Sequence, residues 1–229
     1  MRRLVRLTGT LLALAGLALL AWAFTVWRWE DPVTSLYTHL EQRNLARGYD
    51  EVAAGYAVAP TATAGGKLDV PAAAKAYRKA LRPGGPVGRL RIPKLGITTM
   101  VVEGTDDETL KRGPGRYRQL YLPGEGELVY LAGHRTTYSA PFSRIDELRP
   151  GDEVVLEVPY ARFVYRVVRH RIVADTEVSV LKSGGEELLA LQACHPRFFA
   201  THRYIAYAKP VRVEPRVTAK PDATAVPAG

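Results

Sequence analysis

From Val87 onward the chain breaks into short runs rich in β-branched and aromatic residues, each bounded by Gly, Pro or Asp. Runs of this kind read as strands. They fall at 88–92, 97–103, 126–133, 152–158, 161–174, 187–194 and 203–212. Strands this short and this closely punctuated point to an all-β fold, a closed or nearly closed barrel or a sandwich. Two helical pieces interrupt them. Thr105 can cap a short helix whose first turn carries Asp106, Asp107 and Glu108. Residues 140–148 read as a second helix, ended by Pro150-Gly151.

The N-terminus has a different texture. Arg2, Arg3 and Arg6 precede an uncharged stretch, Leu7 to Trp27, of 21 residues. A helix of about 20 apolar residues spans a bilayer core. Trp22, Trp27 and Trp29 gather at its far end, where indole rings favour the membrane interface. Basic residues ahead of the span hold the N-terminus in the cytoplasm and send the rest outside. A cleaved signal peptide is the competing reading, since Ala21-Trp22-Ala23 resembles a processing site. The span is longer than the usual apolar core of a signal peptide, about 7–15 residues, which favours an uncleaved anchor.

Between anchor and strands, residues 34–51 show helical spacing, with Leu36, Leu40 and Leu45 as the apolar positions. A stretch rich in Ala, Gly, Pro and Thr, 53–74, reads as a linker, and 72–81 as a short helix stopped by Pro83-Gly84-Gly85-Pro86. The expected organisation is a basic cytoplasmic end (1–6), an anchor (7–27), an external helix and flexible linker (28–85), a catalytic barrel (86–214) and a disordered tail (215–229). The formal net charge is +9, yet Lys and Arg are spread through strands and loops with no dense basic cluster or nucleic-acid-binding motif. The charge therefore suits anionic lipid or wall polymer better than nucleic acid.

One cysteine, Cys194, closes the apolar run Leu188 to Ala193. A lone cysteine in an exported domain is either a buried small hydrophobe or a reactive thiol. Its place at a strand end, beside His195, Arg197, His202 and Arg203, favours a thiolate at the solvent boundary. His134 ends another strand and Arg203 opens a third. Thiol, imidazole and guanidinium at strand ends suit acyl transfer, with nucleophile, proton carrier and oxyanion donor respectively. His195 is a poorer partner for the thiol, because adjacent strand residues point to opposite faces. The sequence has neither C-x-x-C nor H-x-x-x-H spacing and no glycine-rich phosphate loop, so no zinc site and no cofactor is expected; an oxygen-ligated calcium site at Asp106, Asp107 or Glu186, Glu187 stays open, with no loop motif behind it.

Several segments, in order, resemble the sortases, membrane-anchored cysteine transpeptidases of Gram-positive surfaces. Val87 to Ile97 looks like that family's first strand, and Val102-Glu103-Gly104-Thr105 with Leu110 to Gly115 like the next strand, helix and turn. Leu131-Ala132-Gly133-His134-Arg135 is similar to the histidine segment, and Phe142 to Leu148 with Pro150-Gly151-Asp152 to the helix and turn after it. Leu191-Gln192-Ala193-Cys194 sits where the family carries Leu-x-Thr-Cys, with Ala193 in place of the usual threonine. Cys194-His195-Pro196-Arg197 and the step to Arg203 are most like the class E, housekeeping-type branch.

The resemblance implies an eight-stranded barrel with few helices, catalysis by His134, Cys194 and Arg203, and substrate contacts at Leu191 and Ala193. It implies cleavage of the Thr–Gly bond in an LAXTG- or LPXTG-like signal of a surface protein, then transfer to lipid II or a pilin amine. The other readings are an L,D-transpeptidase or cysteine peptidase, and a non-catalytic surface barrel with Cys194 buried. The first of these expects Ser-His-Gly-Cys, and a papain-like peptidase expects the cysteine before the histidine; this chain has neither.

Overall fold

The computed structural model describes residues 2–28, 32–56 and 68–215. Trp29, the middle of the expected linker (57–67) and the tail beyond Pro215 lie outside the described residues. Eight strands form a closed barrel. They are β1 (Pro86–Ile92), β2 (Ile97–Glu103), β3 (Gly115–Arg116), β4 (Leu128–Ala132), β5 (Glu153–Val158), β6 (Ala161–Ala174), β7 (Leu188–His195) and β8 (His202–Pro215). Around the barrel the order is β1-β2-β3-β4-β7-β8-β6-β5. Two of the neighbouring pairs, β2/β3 and β4/β7, are parallel, and the others are antiparallel.

The seven strands read from periodicity are all present. β3 is the addition: two residues are too few to show alternation, yet they close the gap between β2 and β4. The strands approach closely there. A Cβ on Gly115 would lie 1.9 Å from the Gly104 carbonyl oxygen, so only glycine fits the joint. The barrel interior holds Leu90, Ile92, Val101, Val129, Leu131, Leu156, Phe163, Leu189 and Leu191, all essentially inaccessible to solvent. Alternate residues of β4, β7 and β8 form a second cluster on the other face, with Leu128, Tyr130, Leu188, Ala190, Ile205 and Tyr207.

Among the described residues four α-helices accompany the barrel: α1 (Arg2–Arg28), α2 (Pro32–Tyr56), α3 (Val70–Ala80) and α4 (Asp107–Leu110). In α1 the segment Arg2–Phe24 is long and apolar enough to cross a membrane, and none of it is buried. Asp106, not Thr105, caps α4; its carboxylate accepts from the Thr109 N–H at 3.0 Å and the Thr109 hydroxyl at 2.7 Å. The helix expected at 140–148 shrinks to a single 3-10 turn, Ile145–Glu147. Phe142, Ile145 and Leu148 are all buried, and their three-residue spacing is that of a 3-10 helix, not an α-helix.

α2 docks on the barrel through a face the hydrophobic pattern does not reveal. Leu36 and Leu40 are exposed (63% and 52%), whereas Thr38, Leu45 and Tyr49 are buried. Leu45 and Tyr49 pack on Met100 and Val102. Gln42 does the polar part. Its amide nitrogen donates to the carbonyls of Met100 (3.1 Å) and Arg112 (2.7 Å), and its oxygen accepts from the Met100 N–H (2.6 Å). α3 begins at Val70, inside the stretch read as linker, because Asp69 caps it and Pro71 suits its first turn. Ala73, Ala74 and Tyr77 then bury against the barrel.

Candidate active site

β7 lies between β4 and β8, and the register of these three strands builds the site. Ala132 is paired with Gln192 in the parallel β4/β7 ladder. The Gly133 N–H continues that ladder, donating to the Gln192 carbonyl at 3.0 Å. β4 ends at Ala132; the same register, extended two residues, would set His134 beside Cys194. On the other side, Cys194 is paired directly with Arg203 in the antiparallel β7/β8 ladder. Alternation then fixes the face. Cys194 shares parity with Ala190, His134 with Tyr130, and Arg203 with Ile205 and Tyr207, all members of the second apolar cluster. The ladder thus puts Cys194 and Arg203 on one face, and its line, carried past the end of β4, leads to His134 on the other side of the thiol.

Cys194 is half-buried, unlike the fully buried small hydrophobe that a non-catalytic barrel would carry. The His134 ring is half-buried, and its Nε2 makes no hydrogen bond among the described residues. Burial, first, holds the His134 pKa below the usual histidine value, with Lys111 adding to the effect and Asp107 opposing it. The Tyr138 ring lies 5.2 Å from the imidazole, tilted by 35°. A buried unpaired ring nitrogen calls for an explanation, and a proton carrier waiting for its partner supplies one.

Arg203 is half-buried. Its Nη1 donates to the carbonyls of Ala200 (2.7 Å) and His202 (3.0 Å), and the rest of the fork makes no hydrogen bond among the described residues. Those remaining donors are of the kind that can meet a developing oxyanion. Leu191 and Ala193 are not brought to the thiol. Both belong to the interior cluster, on the opposite face of β7 from Cys194. Whatever they do for the site, they do from inside the barrel.

Arg135 is the residue the sequence reading missed. It follows His134, points to the other face and is nearly inaccessible to solvent. Its Nη1 donates to the Cys194 carbonyl at 3.1 Å and lies 3.0 Å from His195 Nδ1. Its Nη2 pairs with Asp146 at 2.5 Å. One guanidinium therefore ties the histidine loop, the 3-10 turn and the end of β7 together. The only hint in the sequence is an arginine directly after the strand-ending histidine, and hydrophobic periodicity cannot distinguish it from a surface charge. Gly133 matters for a simpler reason: a Cβ there would come within 2.6 Å of the Phe142 ring.

Backbone strain gathers around the same three residues. The non-glycine residues with positive φ among the described residues are Tyr138, Ser139, Ala140, Phe198 and Ala200. All lie in the two loops that follow His134 and Cys194. Conformations of this kind cost of order 1–3 kcal/mol each and cluster at functional sites. Among the described residues no group of His, Cys, Asp and Glu could hold a metal ion.

A family model described as a Sortase domain matches residues 90–211. Sortase D of Bacillus subtilis (strain 168) is 40% identical over 129 residues, covering 54% of this chain and 63% of that protein. Sortase SrtE1 of Streptomyces coelicolor is 33% identical over 157 residues, covering 62% of this chain and 45% of that protein. The chain spans less than two thirds of either relative. A crystal structure of Sortase E1 from Streptomyces coelicolor with a tripeptide in its active site aligns with a TM-score of 0.55 and 31% identity, covering 62% of this chain and 98% of that one. The likeness reaches class E, as the residues around Cys194 suggest, and Sortase D as well.

Proposed function

The chain belongs to the sortase family, and from that premise we propose that it is a membrane-anchored cysteine transpeptidase acting on a C-terminal sorting signal. The observation that carries this reading is the row His134, Cys194, Arg203 across β4, β7 and β8. The tripeptide held in the active site of the Streptomyces coelicolor relative supports a peptide substrate.

The mechanism follows from the three groups. Cys194 Sγ, as thiolate, attacks the threonine carbonyl carbon of an LAXTG- or LPXTG-like signal. The carbonyl π electrons move onto oxygen, where Arg203 stabilises the charge. The tetrahedral intermediate collapses, the C–N bond to glycine breaks, and protonated His134 delivers its proton to the leaving amine. The thioester then reacts with an incoming amine, of lipid II or a pilin lysine, and His134 takes the proton back. Because burial holds the His134 pKa down, the imidazolium form is a minority near neutral pH. Residues 86–214 form the catalytic unit, 7–27 the span, and the N-terminus stays in the cytoplasm.

The test uses the purified chain with LAXTG and LPXTG peptides and a glycine amine, products being read by mass. A Thr–amine adduct is expected, together with a trapped thioester at Cys194. Cys194→Ala is expected to abolish both while the circular dichroism spectrum is unchanged. Transpeptidation retained by that variant would remove Cys194 from the mechanism.

A further inference from the structure

α2 leaves its most apolar stripe unused. Leu36 and Leu40 are 63% and 52% exposed, and Tyr37 between them is 45% exposed. A second exposed apolar group lies in the loop after the thiol, where Phe198 and Phe199 are 62% and 78% exposed. Both patches adjoin one segment, 134–148. The Thr34 hydroxyl accepts from the Tyr138 N–H at 3.2 Å, and the Ser139 hydroxyl donates to the Ser35 carbonyl at 3.4 Å. On the other side, Arg197 Nη2 donates to the Ser143 carbonyl at 2.7 Å. The start of α2, the histidine loop and the loop carrying Phe198 and Phe199 therefore share the thiol end of the barrel.

The covalent chain says what lies against that end. α1 ends at Arg28 and α2 begins at Pro32. Four peptide steps reach at most about 14 Å. The first turn of α2 is already bonded to the loop that follows His134. The active-site end thus sits within a short reach of the anchor's exit from the bilayer, not at the end of a long tether. The charges at this end are mixed. Arg197 stands beside the two phenylalanines, while Asp146 is paired with Arg135, Asp107 lies within electrostatic reach of His134, the Asp175 N–H donates to the Thr201 carbonyl, and Glu177 lies within electrostatic reach of Arg171 and Lys182.

Resting on the reading of α1 as a membrane anchor, we propose that the thiol end of the barrel docks on the membrane that holds α1. Leu36, Leu40, Phe198 and Phe199 enter the boundary between headgroups and acyl chains, and Arg197 meets anionic headgroups. Apolar side chains flanked by basic residues bind such surfaces through buried area plus charge attraction. Docking would keep the thiol at headgroup level, where a membrane-embedded sorting signal or a lipid-linked amine presents its polar part.

The single native cysteine makes the test clean. In full-length chain carrying Cys194→Ala, nitroxides are placed by Leu40→Cys, Phe199→Cys or, as a control at the other end of β7, Glu186→Cys. The protein is reconstituted into phosphatidylcholine vesicles containing about one third phosphatidylglycerol. Labels at 40 and 199 are expected to be shielded from a water-soluble nickel chelate and accessible to oxygen, with 186 the reverse. Protein that floats with the vesicles but shows all three labels equally wet overturns the docking alone. Protein that does not float overturns the anchor and the docking together.

A second measurement separates lipid from peptide contact. Phe198→Ser with Phe199→Ser, in the otherwise native chain, is expected to slow cleavage of a vesicle-anchored signal peptide about tenfold and leave the soluble peptide unaffected. An equal loss on both peptides assigns the phenylalanines to peptide binding and sinks the proposal. Label depth does not depend on catalysis, so buried labels on the Cys194→Ala chains, together with a native chain that cleaves neither peptide, would refute the sortase activity and keep the docking.

Discussion

Two arginines of the barrel, one on β3 and one on β8, are treated in opposite ways. At the β2–β3 joint, Arg116 is 1% exposed and every part of its fork is engaged. It donates to the two Glu103 carboxylate oxygens at 2.7 and 2.5 Å and to the Leu120 carbonyl at 2.6 Å. At the thiol end, among the described residues, Arg203 uses one nitrogen and keeps the rest of its fork, and His134 keeps a buried nitrogen without a partner. The first region spends its polar groups on closing the structure. The second withholds them and also carries the positive-φ residues. Satisfied charge suits a scaffold and withheld charge suits chemistry, and the proposed role of Arg203 rests on that difference, which composition cannot reveal.

The largest effect should come from breaking the closed side. Arg116→Met strands the Glu103 carboxylate in a buried site, which costs about 3–5 kcal/mol. Urea unfolding should show that loss, and Arg116→Met with Glu103→Leu should recover most of it. If the single variant unfolds at the parental midpoint, Arg116 is no scaffold and the contrast fails. On the open side, Arg203→Ala should cost about two to three decades in kcat/KM, the usual range for removing an oxyanion donor. Its urea midpoint should barely move, since the guanidinium makes hydrogen bonds only to nearby carbonyls of its own loop. An Arg203→Ala chain that loses stability but not rate would reverse the two assignments.

Arg135 stands between the two cases, closed like Arg116 and adjacent to the chemistry like Arg203. Arg135→Ala removes the donor to the Cys194 carbonyl and unties the 3-10 turn. A loss of about ten- to a hundredfold is expected in kcat with KM nearly constant, because misplacing the reacting groups by an ångström costs on that scale. Arg135→Lys should restore part of it. A change confined to KM would make Arg135 a substrate contact instead of a positioning residue.

These contrasts also mark what could be read before the fold was known. Strand ends are legible, because alternation and its interruption place Cys194, His134 and Arg203 where chain meets loop. Which strands are neighbours is not: the parallel β4/β7 pairing whose line leads to His134 beside Cys194 depends on the two-residue β3, too short for any periodicity. α2 misleads for a related reason. Of its three leucines only Leu45 is buried, and its docking also uses Thr38 and Gln42, whose hydrogen bonds to backbone leave no hydrophobic trace. Leu191 and Ala193 belong to the signature but face inward, since a strand shows its motif residues alternately to opposite sides.

The smallest effect is the dependence of stability on pH through His134. An unfolded histidine titrates near 6.5. In the fold, burial holds the imidazole pKa lower. Between those two values the unfolded chain binds a proton that the folded chain refuses. This contribution to stability is therefore fully present above the unfolded pKa and is lost as pH falls through the window. His134→Gln cannot titrate, so from about pH 7.5 to 5 its urea midpoint should fall less than the parent's. Parallel curves would mean that the ring finds a partner or water on protonation, and that His134 is not withheld in the way Arg203 is.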